Sequence, residues 1–533
     1  MSKHEFFFKI ATTADEFEQI HRLNYQTFSE EIPQHEKNEE QKLVDPFHAE
    51  NTYIICIKEN EVIGMTAIRD NRPFSLDRKI GPVEQSLSFP VHSPCEVRLL
   101  SVKKEYRNGQ VFLGLAQFLI KYCLKKGYDI AFISGTVRQL KLYGQLGFQP
   151  FAHLTGTNEA LFQPMYLTKK TFDESIAGRI LPKTIPFLPG PVQISDKVIN
   201  ALRMIPISHR SDQYKEKIAK VKDVLAKLVN SKYVHIFLGS GTLANDVVAG
   251  QLSLETGRGL ILANGEFGSR LVEQANRFGL QFDVLQKDWG QAFSRDEIVS
   301  KISNTTGWIW AVHSETSSGI LNNLELLKEI ASNHQLKLCL DCISSLGAIE
   351  VDLDGVFLAT GVSGKAIRAL TGLSFVFHHH EVQPSSPKYL DLGTYMAKDS
   401  IPYSHSSNLL EALLAALEDI NRETFEKVVE THTYLKDQLK KFGHTIISEE
   451  NSSPMILTIE IPGVISSAVI GNILYNHGYQ LHYESDYLQR RNWIQIACID
   501  HYDKADLERM TNLLNRVITY EQTTIQQALV NGK

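Results

Sequence analysis

The chain has little cysteine, no long apolar run and no excess of charge of either sign. Each shortage closes off a class of protein. Six cysteines (Cys56, Cys95, Cys123, Cys339, Cys342 and Cys498) in 533 residues are too sparse for a disulfide scaffold. Reduced thiols and a cytoplasmic location are the expectation. No apolar stretch reaches the ~18–20 residues that span a bilayer. The opening Met1–Ile10 lacks a signal peptide's charged region, long apolar core and small-residue cleavage site. Lysine and arginine number 55 against 61 aspartates and glutamates, a net charge of −6. That leaves no general electrostatic pull toward nucleic acid or an anionic membrane. No period of 20–50 residues marks a solenoid.

What is present is ordinary globular material, 43% hydrophobic and 22% charged. At ~100–200 residues per domain, the length predicts two to four domains. Residues 1–170 read as a mixed α+β unit. Its expected elements are a helix near Asp15–Phe28, strands Thr52–Lys58, Val62–Arg69, Cys95–Val102 and Ile130–Ser134, and helices Val111–Lys126 and Arg138–Leu146. The proline- and glycine-bearing stretch 171–184 reads as a linker. From 185 to 387 strand-like runs (Val234–Leu238, Gly259–Leu262, Trp308–Val312, Leu336–Leu340, Leu373–Phe377) alternate with helical ones, which predicts an α/β domain with a helix-covered parallel sheet. Residues 388–533 read as a smaller α+β lobe with long helices Ser407–Lys441 and Lys504–Gln527.

Three features of the middle region carry chemistry. Gly239–Asn245 joins a strand end to a helix start, where free N–H groups favour an anion and Ser240 and Thr242 add hydroxyls; a glycine turn with a capping threonine is the plain reading. Asp341 ends an apolar run, the place where open α/β sheets bind ligands. A carboxylate there suits a protonated pyridine nitrogen, and equally a buried cap. Lys365 follows among small residues, and a lysine amine condenses with an aldehyde. Cys339 and Cys342 form a C-x-x-C without a partner pair and read as buried small residues. His378–His380 reads as a solvated loop.

Together these residues resemble fold-type I pyridoxal phosphate enzymes of the class V aminotransferase family. The opening stretches Pro189–Val192 and Ser208–Ser211 are similar to alanine–glyoxylate aminotransferases. Asn264–Arg270, Val312–Asn322 and Leu340–Gly347 are similar to 2-aminoethylphosphonate–pyruvate transaminases. The resemblance implies that Lys365 holds pyridoxal 5′-phosphate and moves the substrate proton. It implies that Asp341 pairs with the pyridine nitrogen, that Ser240, Gly241 and Thr242 cradle the phosphate, and that Phe267 stacks on the ring. Thr316, His313 and Glu315 then line the ring's edge, and Ser363 adds a phosphate contact. A homodimer is implied, with Tyr403 and Ser404 completing the neighbouring phosphate site. Family members carry an arginine for the substrate carboxylate in a late strand; here Gln495 stands at that place, with Arg490 or Arg491 as substitutes.

In the N-terminal region, Cys95–Val102, Glu105–Gly109 before a helix, and Leu142–Phe148 resemble the GCN5-related N-acetyltransferase fold. The loop Arg107–Gly114 departs from the usual glycine spacing and is closer to N-acyl amino acid synthases. The resemblance implies acyl transfer from acyl-CoA or an acyl carrier protein thioester, with Tyr143 as general acid and Glu96 as general base. A packing role for Tyr143 and a strand-edge pair of Glu96 with Arg98 are the structural alternatives. The expected protein is thus a bifunctional aminotransferase and N-acyltransferase acting on small-molecule amines and oxo acids. The competing readings are a pyridoxal phosphate lyase or desulfurase, and a transaminase with a non-catalytic acyl-binding regulatory domain.

Overall fold

The computed structural model describes residues 6–32, 34–157, 160–180, 184–382 and 387–530. The chain divides into two units. The first comprises residues 1–185 with 472–479 and 519–533; the second comprises 186–471 with 480–518.

The first unit is built on an eight-stranded sheet. Strands Phe7–Ile10, Thr52–Lys58, Glu61–Arg69 and Pro94–Val102 run in that spatial order, followed by Ile130–Thr136 and Ala160–Thr168. All neighbours are antiparallel except Pro94–Val102 with Ile130–Thr136, which are parallel and pair only from Pro94 to Glu96. Beyond that point the two strands part. Strand Pro94–Val102 is also bulged: its register slips against Glu61–Arg69, and Leu99 takes a positive φ of 55°. Helix Gln110–Lys126 buries Val111, Leu115 and Phe118 with Ile54, Cys56 and Ile63 of the sheet. Phe74, Leu76 and Val83 pack with Ile130 and Phe132 in a separate cluster. The helical stretch near the start is an α-helix over Ala14–Tyr25 that passes into a π-helical turn, Gln26–Glu31.

Segments from the far end of the chain belong to this unit. Lys9, with no exposed surface, pairs with Glu16 at 2.8 Å and with Glu521 at 2.5 Å. Tyr520 donates to Glu16 at 3.0 Å. The sequence reading had placed all of 388–533 in one C-terminal lobe. Burial of a lone lysine is prohibitive without counter-charge, and Glu521 supplies half of it.

The second unit is a seven-stranded sheet in the order Tyr233–Leu238, Leu373–His378, Leu358–Val362, Lys337–Asp341, Thr306–Val312, Arg258–Ala263, Phe282–Gln286. Leu373–His378 alone in this order is antiparallel to its neighbours. Its apolar runs are buried on both faces, as parallel strands covered by helices must be. Leu260, Leu262, Leu338 and Leu340 enter one core, while Ile261, Trp308, Trp310 and Cys339 enter the other. A two-stranded antiparallel ladder, Ile456–Glu460 with Trp493–Ala497, lies in the same unit.

Two local expectations fail here. Ser407–Lys441 is two helices, Ser407–Leu417 and Arg422–Lys441. Asn421 breaks the run because its side chain accepts from Thr424 N at 3.1 Å, starting a new helix. His378 is not solvated: it lies in a strand, buried, with its ring 5.1 Å from that of His235. His380 stacks on Phe357 at 4.1 Å.

Candidate active site

Sheet topology brings the residues of the second unit together. Of the six strands that run in one direction, five end at Leu238, Ala263, Val312, Asp341 and Val362. Parallel strands share one C-terminal edge, so Ser240, Phe267, His313–Thr316, Asp341 and Lys365 all follow from that edge.

Asp341 is 5% exposed. Asn245, on the first turns of helix Gly241–Leu252, donates to its Oδ2 at 2.8 Å, and Ile343 N donates to Oδ1 at 2.9 Å. Thr360 Oγ1 donates to Asn245 Oδ1 at 2.9 Å, fixing the amide in turn. Burial pushes the Asp341 carboxyl above its usual range, against the opposing pull of these donors and Lys365. Burial likewise lowers the pKa of Lys365, while Asp341 and Glu315 raise it. The Lys365 amine donates to Ser344 Oγ at 2.8 Å, and Thr316 Oγ1 donates to the same oxygen at 2.6 Å. It also stands 5.2 Å from the centroid of the Phe267 ring.

Glu315 anchors the loop rather than lining open space. Its oxygens accept from Phe267 N at 3.3 Å and Gly268 N at 2.8 Å at the start of helix Glu266–Arg277, and from Ser317 Oγ at 2.5 Å. Burial raises its pKa. His313 Nδ1 lies 3.0 Å from Ser345 Oγ, and burial lowers its imidazole to about 4, so it is neutral at pH 7. Ser240 begins helix Gly241–Leu252 without a side-chain cap, and Ser240 and Thr242 are exposed. A Cβ at Gly241 would lie 2.4 Å from Ile343 Cδ1, so that side chain would have to move to admit one.

Four expected site residues are engaged elsewhere. Ser363 is buried with its hydroxyl on Leu370 O at 2.6 Å and Leu373 O at 3.1 Å, instead of facing a phosphate. Tyr403 stacks on Tyr389 at 5.4 Å and donates to Lys388 O at 2.9 Å, and Ser404 is exposed. Gln495 has no exposed surface. Its amide nitrogen donates to Thr316 O at 2.6 Å, Ser317 O at 3.2 Å and Thr458 Oγ1 at 2.8 Å, and its oxygen faces His482 Nδ1 at 2.9 Å. It is a strut beneath the Thr316 loop. Arg491 lies flat on Trp289, its guanidinium carbon 3.4 Å from the ring centroid, and Arg490 is exposed.

Asn245, Ser344, Ser345 and His482 were not singled out in the sequence. Asn245 and the two serines lie inside the motifs already quoted, but only the fold reveals which of their neighbours reach Asp341 and Lys365.

The donor set fits pyridoxal phosphate. A fixed, buried carboxylate suits a pyridine nitrogen, an amine with lowered pKa suits an aldehyde, an aromatic ring lies beside that amine, and an uncapped helix start suits a phosphate.

In the first unit, Tyr143 lies over strand Ile130–Thr136. Gly135 makes this approach possible, since a Cβ there would be 2.9 Å from the tyrosine ring. Burial raises the phenol's pKa, with hydrogen bonds to Thr136 opposing. Tyr143 packs with Ile133, Phe148 and Met165. Val97, Leu146, Phe148 and Leu167 beside it also line an apolar pocket, closed further by Leu119, Ile120 and Phe172. Glu96 is buried. It accepts from Ser75 N at 2.8 Å, Ser75 Oγ at 2.6 Å and Leu76 N at 3.0 Å, with Arg98 Nε 3.6 Å away. Its oxygens thereby fix the Ser75–Leu76 turn.

Among the described residues no helix is long and apolar enough to cross a membrane, and no cluster of three or more histidine, cysteine or acidic side chains is placed to hold a metal. All six cysteines are free, and Cys339 and Cys342 are buried.

Comparison with known proteins bears on both units. Residues 19–169 match the family model for the N-acyl amino acid synthase FeeM. Residues 195–481 match the model for aminotransferase class-V. The chain is 31% identical over 310 residues to the soluble hydrogenase 42 kDa subunit of Anabaena cylindrica, covering 53% of this chain and 79% of that protein. It is 25% identical over 296 residues to the 2-aminoethylphosphonate–pyruvate transaminase of Pseudomonas entomophila (strain L48), covering 51% and 80%. The alanine–glyoxylate aminotransferase structure from Nostoc sp. superposes with a TM-score of 0.58 at 24% identity, covering 63% of this chain and 96% of that one. The fold is thus that of fold-type I pyridoxal phosphate enzymes, and with the model spanning more than half its length the chain belongs to the class-V aminotransferase family.

Proposed function

We propose that the protein is a bifunctional cytoplasmic enzyme, active as a homodimer. Its second unit moves an amino group from an amino acid or aminophosphonate-like donor to a 2-oxo acid or aldehyde. Its first unit acylates an amine from an acyl-CoA or acyl carrier protein thioester. The observation that carries the reading is the shared strand edge placing Asp341, held by Asn245, beside Lys365, held by Ser344.

Pyridoxal phosphate, when bound, supplies a sink for the electrons of the substrate's Cα–H bond. Asp341 holds a proton at the pyridine nitrogen. Lys365, its pKa lowered by burial, would take up and give back the substrate's Cα proton. Ser344 and Thr316 aim the amine, Phe267 shields the ring from water, and the start of helix Gly241–Leu252 receives the phosphate with Ser240 and Thr242. Ser404, which is exposed, serves the partner's phosphate in this reading.

In the first unit the amine nitrogen attacks the thioester carbonyl. A C–N bond forms, the C–S bond breaks, the departing thiolate takes the Tyr143 proton, and the amine's surplus proton leaves to water. A phenol with raised pKa is protonated at neutral pH and so is ready to donate. The apolar cavity next to Tyr143 supports an acyl chain as the group transferred. Glu96, with its oxygens on the Ser75–Leu76 turn, acts in this reading as a positioning residue. A desulfurase is disfavoured because Cys339, Cys342 and Cys498 are buried and burial raises their thiols.

The test is to load the purified chain with pyridoxal phosphate and add a panel of amines and amino acids. Accepted donors should change the cofactor's visible absorbance and yield the matching oxo product. A panel that yields only sulfide or eliminated products would replace transfer by lyase or desulfurase chemistry.

A further inference from the structure

The turn that carries Lys365 contains a strained residue. Arg368 has a φ of 59°, in the left-handed region that a side chain disfavours. Its N–H donates to Lys365 O at 2.8 Å, closing the turn directly onto the lysine. Such a position ordinarily takes glycine or asparagine. An arginine stays there only when its surroundings hold it, and strain of this kind gathers where a group has to be aimed.

The surroundings that hold it come from two sides. On one side Gly347 approaches so closely that a Cβ there would lie 2.9 Å from Ile367 N. On the other, the mostly buried Arg368 guanidinium forms an ion pair with Asp500, Nη1 to Oδ1, at 3.6 Å. The same carboxylate oxygen accepts from His501 N at 2.8 Å, which fixes the acid. Asp500 comes just after strand Trp493–Ala497, and Cys498 N there donates to Met455 O at 2.7 Å. Ala366, next to Lys365, packs in one cluster with Ala348, Met455, Ala497 and Ile499. The two-stranded ladder Ile456–Glu460 with Trp493–Ala497 thus presents Asp500 to the lysine's turn. Lysine has a flexible four-carbon stem, so the place of its amine against Ser344 and Phe267 depends on the backbone beneath it.

We propose that Arg368 and Asp500 are positioning residues for Lys365: their ion pair holds the left-handed turn, and the turn aims the amine. This rests on the aminotransferase reading of the second unit and extends its machinery to the end of the ladder.

The test uses the full chain loaded with pyridoxal phosphate. Visible circular dichroism of the bound cofactor reports how its ring is held, and amide exchange of Ala366–Ala369 reports the turn. Asp500→Asn keeps the shape and removes the charge. Arg368→Gly removes the guanidinium and relieves the backbone, so it folds even where Asp500→Asn does not. Both should at least halve the visible dichroism, speed exchange at least tenfold, and lower kcat at least tenfold with KM changed less than threefold. Arg368→Lys, which keeps the charge, should recover part of the dichroism. In Arg368→Gly the urea midpoint should stay near that of the wild type while kcat falls; a purely structural pair would do the reverse. Dichroism and kcat within twofold of wild type in Arg368→Gly would overturn the proposal. Wild-type protein that accepts no amino donor would overturn the aminotransferase reading instead, with dichroism and exchange still deciding on the pair.

Discussion

The side-chain oxygen of Gln495 stands 2.9 Å from Nδ1 of His482, and the other imidazole nitrogen is 2.7 Å from Ser485 Oγ. The amide thus ties His482 to the Thr316 loop, through the nitrogen that donates to Thr316 O and Ser317 O. The family resemblance puts at this place an arginine that holds a substrate carboxylate, and Gln495 stands there instead. The glutamine has no free donor left, and burial lowers the pKa of His482, keeping it neutral.

Gln495→Glu keeps the shape and turns a donor into an acceptor facing two carbonyl oxygens. It should destabilise the second unit by about 3 kcal/mol or more, since several buried polar groups lose partners at once. Urea unfolding monitored by tryptophan fluorescence reads this out. A change under about 0.5 kcal/mol would show that the amide is not a strut.

Lys365→Ala, after incubation with pyridoxal phosphate and reduction with borohydride, should yield no pyridoxylated peptide at position 365. The wild-type chain should give one. Asp341→Asn should retain that label yet lose roughly a thousandfold in transamination, a cost of about 4 kcal/mol in the barrier. A label on another lysine would refute the assignment of Lys365, and near-normal turnover would refute that of Asp341.

Tyr143→Phe should slow acyl transfer by ~10²–10⁴-fold, the usual contribution of one general acid, with transamination unaffected. An equal rate in the two proteins would leave Tyr143 as packing over Gly135 alone.

Four buried histidines set an acid limit. Burial lowers His313, His378 and His432 to about 4 and His235 to about 2. The Nε2 atoms of His235, His378 and His432 have no partner. The folded chain therefore holds these rings neutral while the unfolded chain protonates them below about 6.5. Their contribution is complete above that pH and is lost as pH falls toward 4, at about 2 kcal/mol per ring between pH 6.5 and 5. Asp341 and Glu315, raised by burial, act in the opposite sense and lose stability as pH rises above the ordinary carboxylate range. The histidines outnumber them, so the urea midpoint at pH 5 should lie well below that at pH 7.5. Equal midpoints would mean that these rings are already solvated.

Ending the chain at Ile518 should destabilise the first unit by about 3 kcal/mol, because Lys9 stays buried with one counter-charge removed. A fragment of residues 1–175 should fare worse, lacking also His477, whose ring nitrogen lies 3.1 Å from Phe8 N. Amide hydrogen exchange of Phe7–Ile10 measures both. Wild-type protection in either truncated protein would show that the first unit closes without the C-terminal segments.

By itself, the sequence determined the strands and helices that matter most. Leu336–Leu340 had to be a strand because its apolar run is short and ends at Asp341, and Gly239–Asn245 had to turn because glycine and serine sit between strand and helix periodicities. Those local rules bring Asp341, Lys365, Ser240 and Phe267 into one sheet edge once the strands are parallel. Local rules failed where a distant partner decides. The break at Asn421 depends on one capping bond. The burial of His378 depends on His235, 143 positions away. Gln495 is a strut because Thr316 and His482 reach it, and Lys9 is buried because Glu521 comes back from the far end of the chain. Periodicity reports which face of an element is apolar, whereas hydrogen bonds and ion pairs between distant residues depend on where those faces meet, and that is a property of the tertiary structure alone.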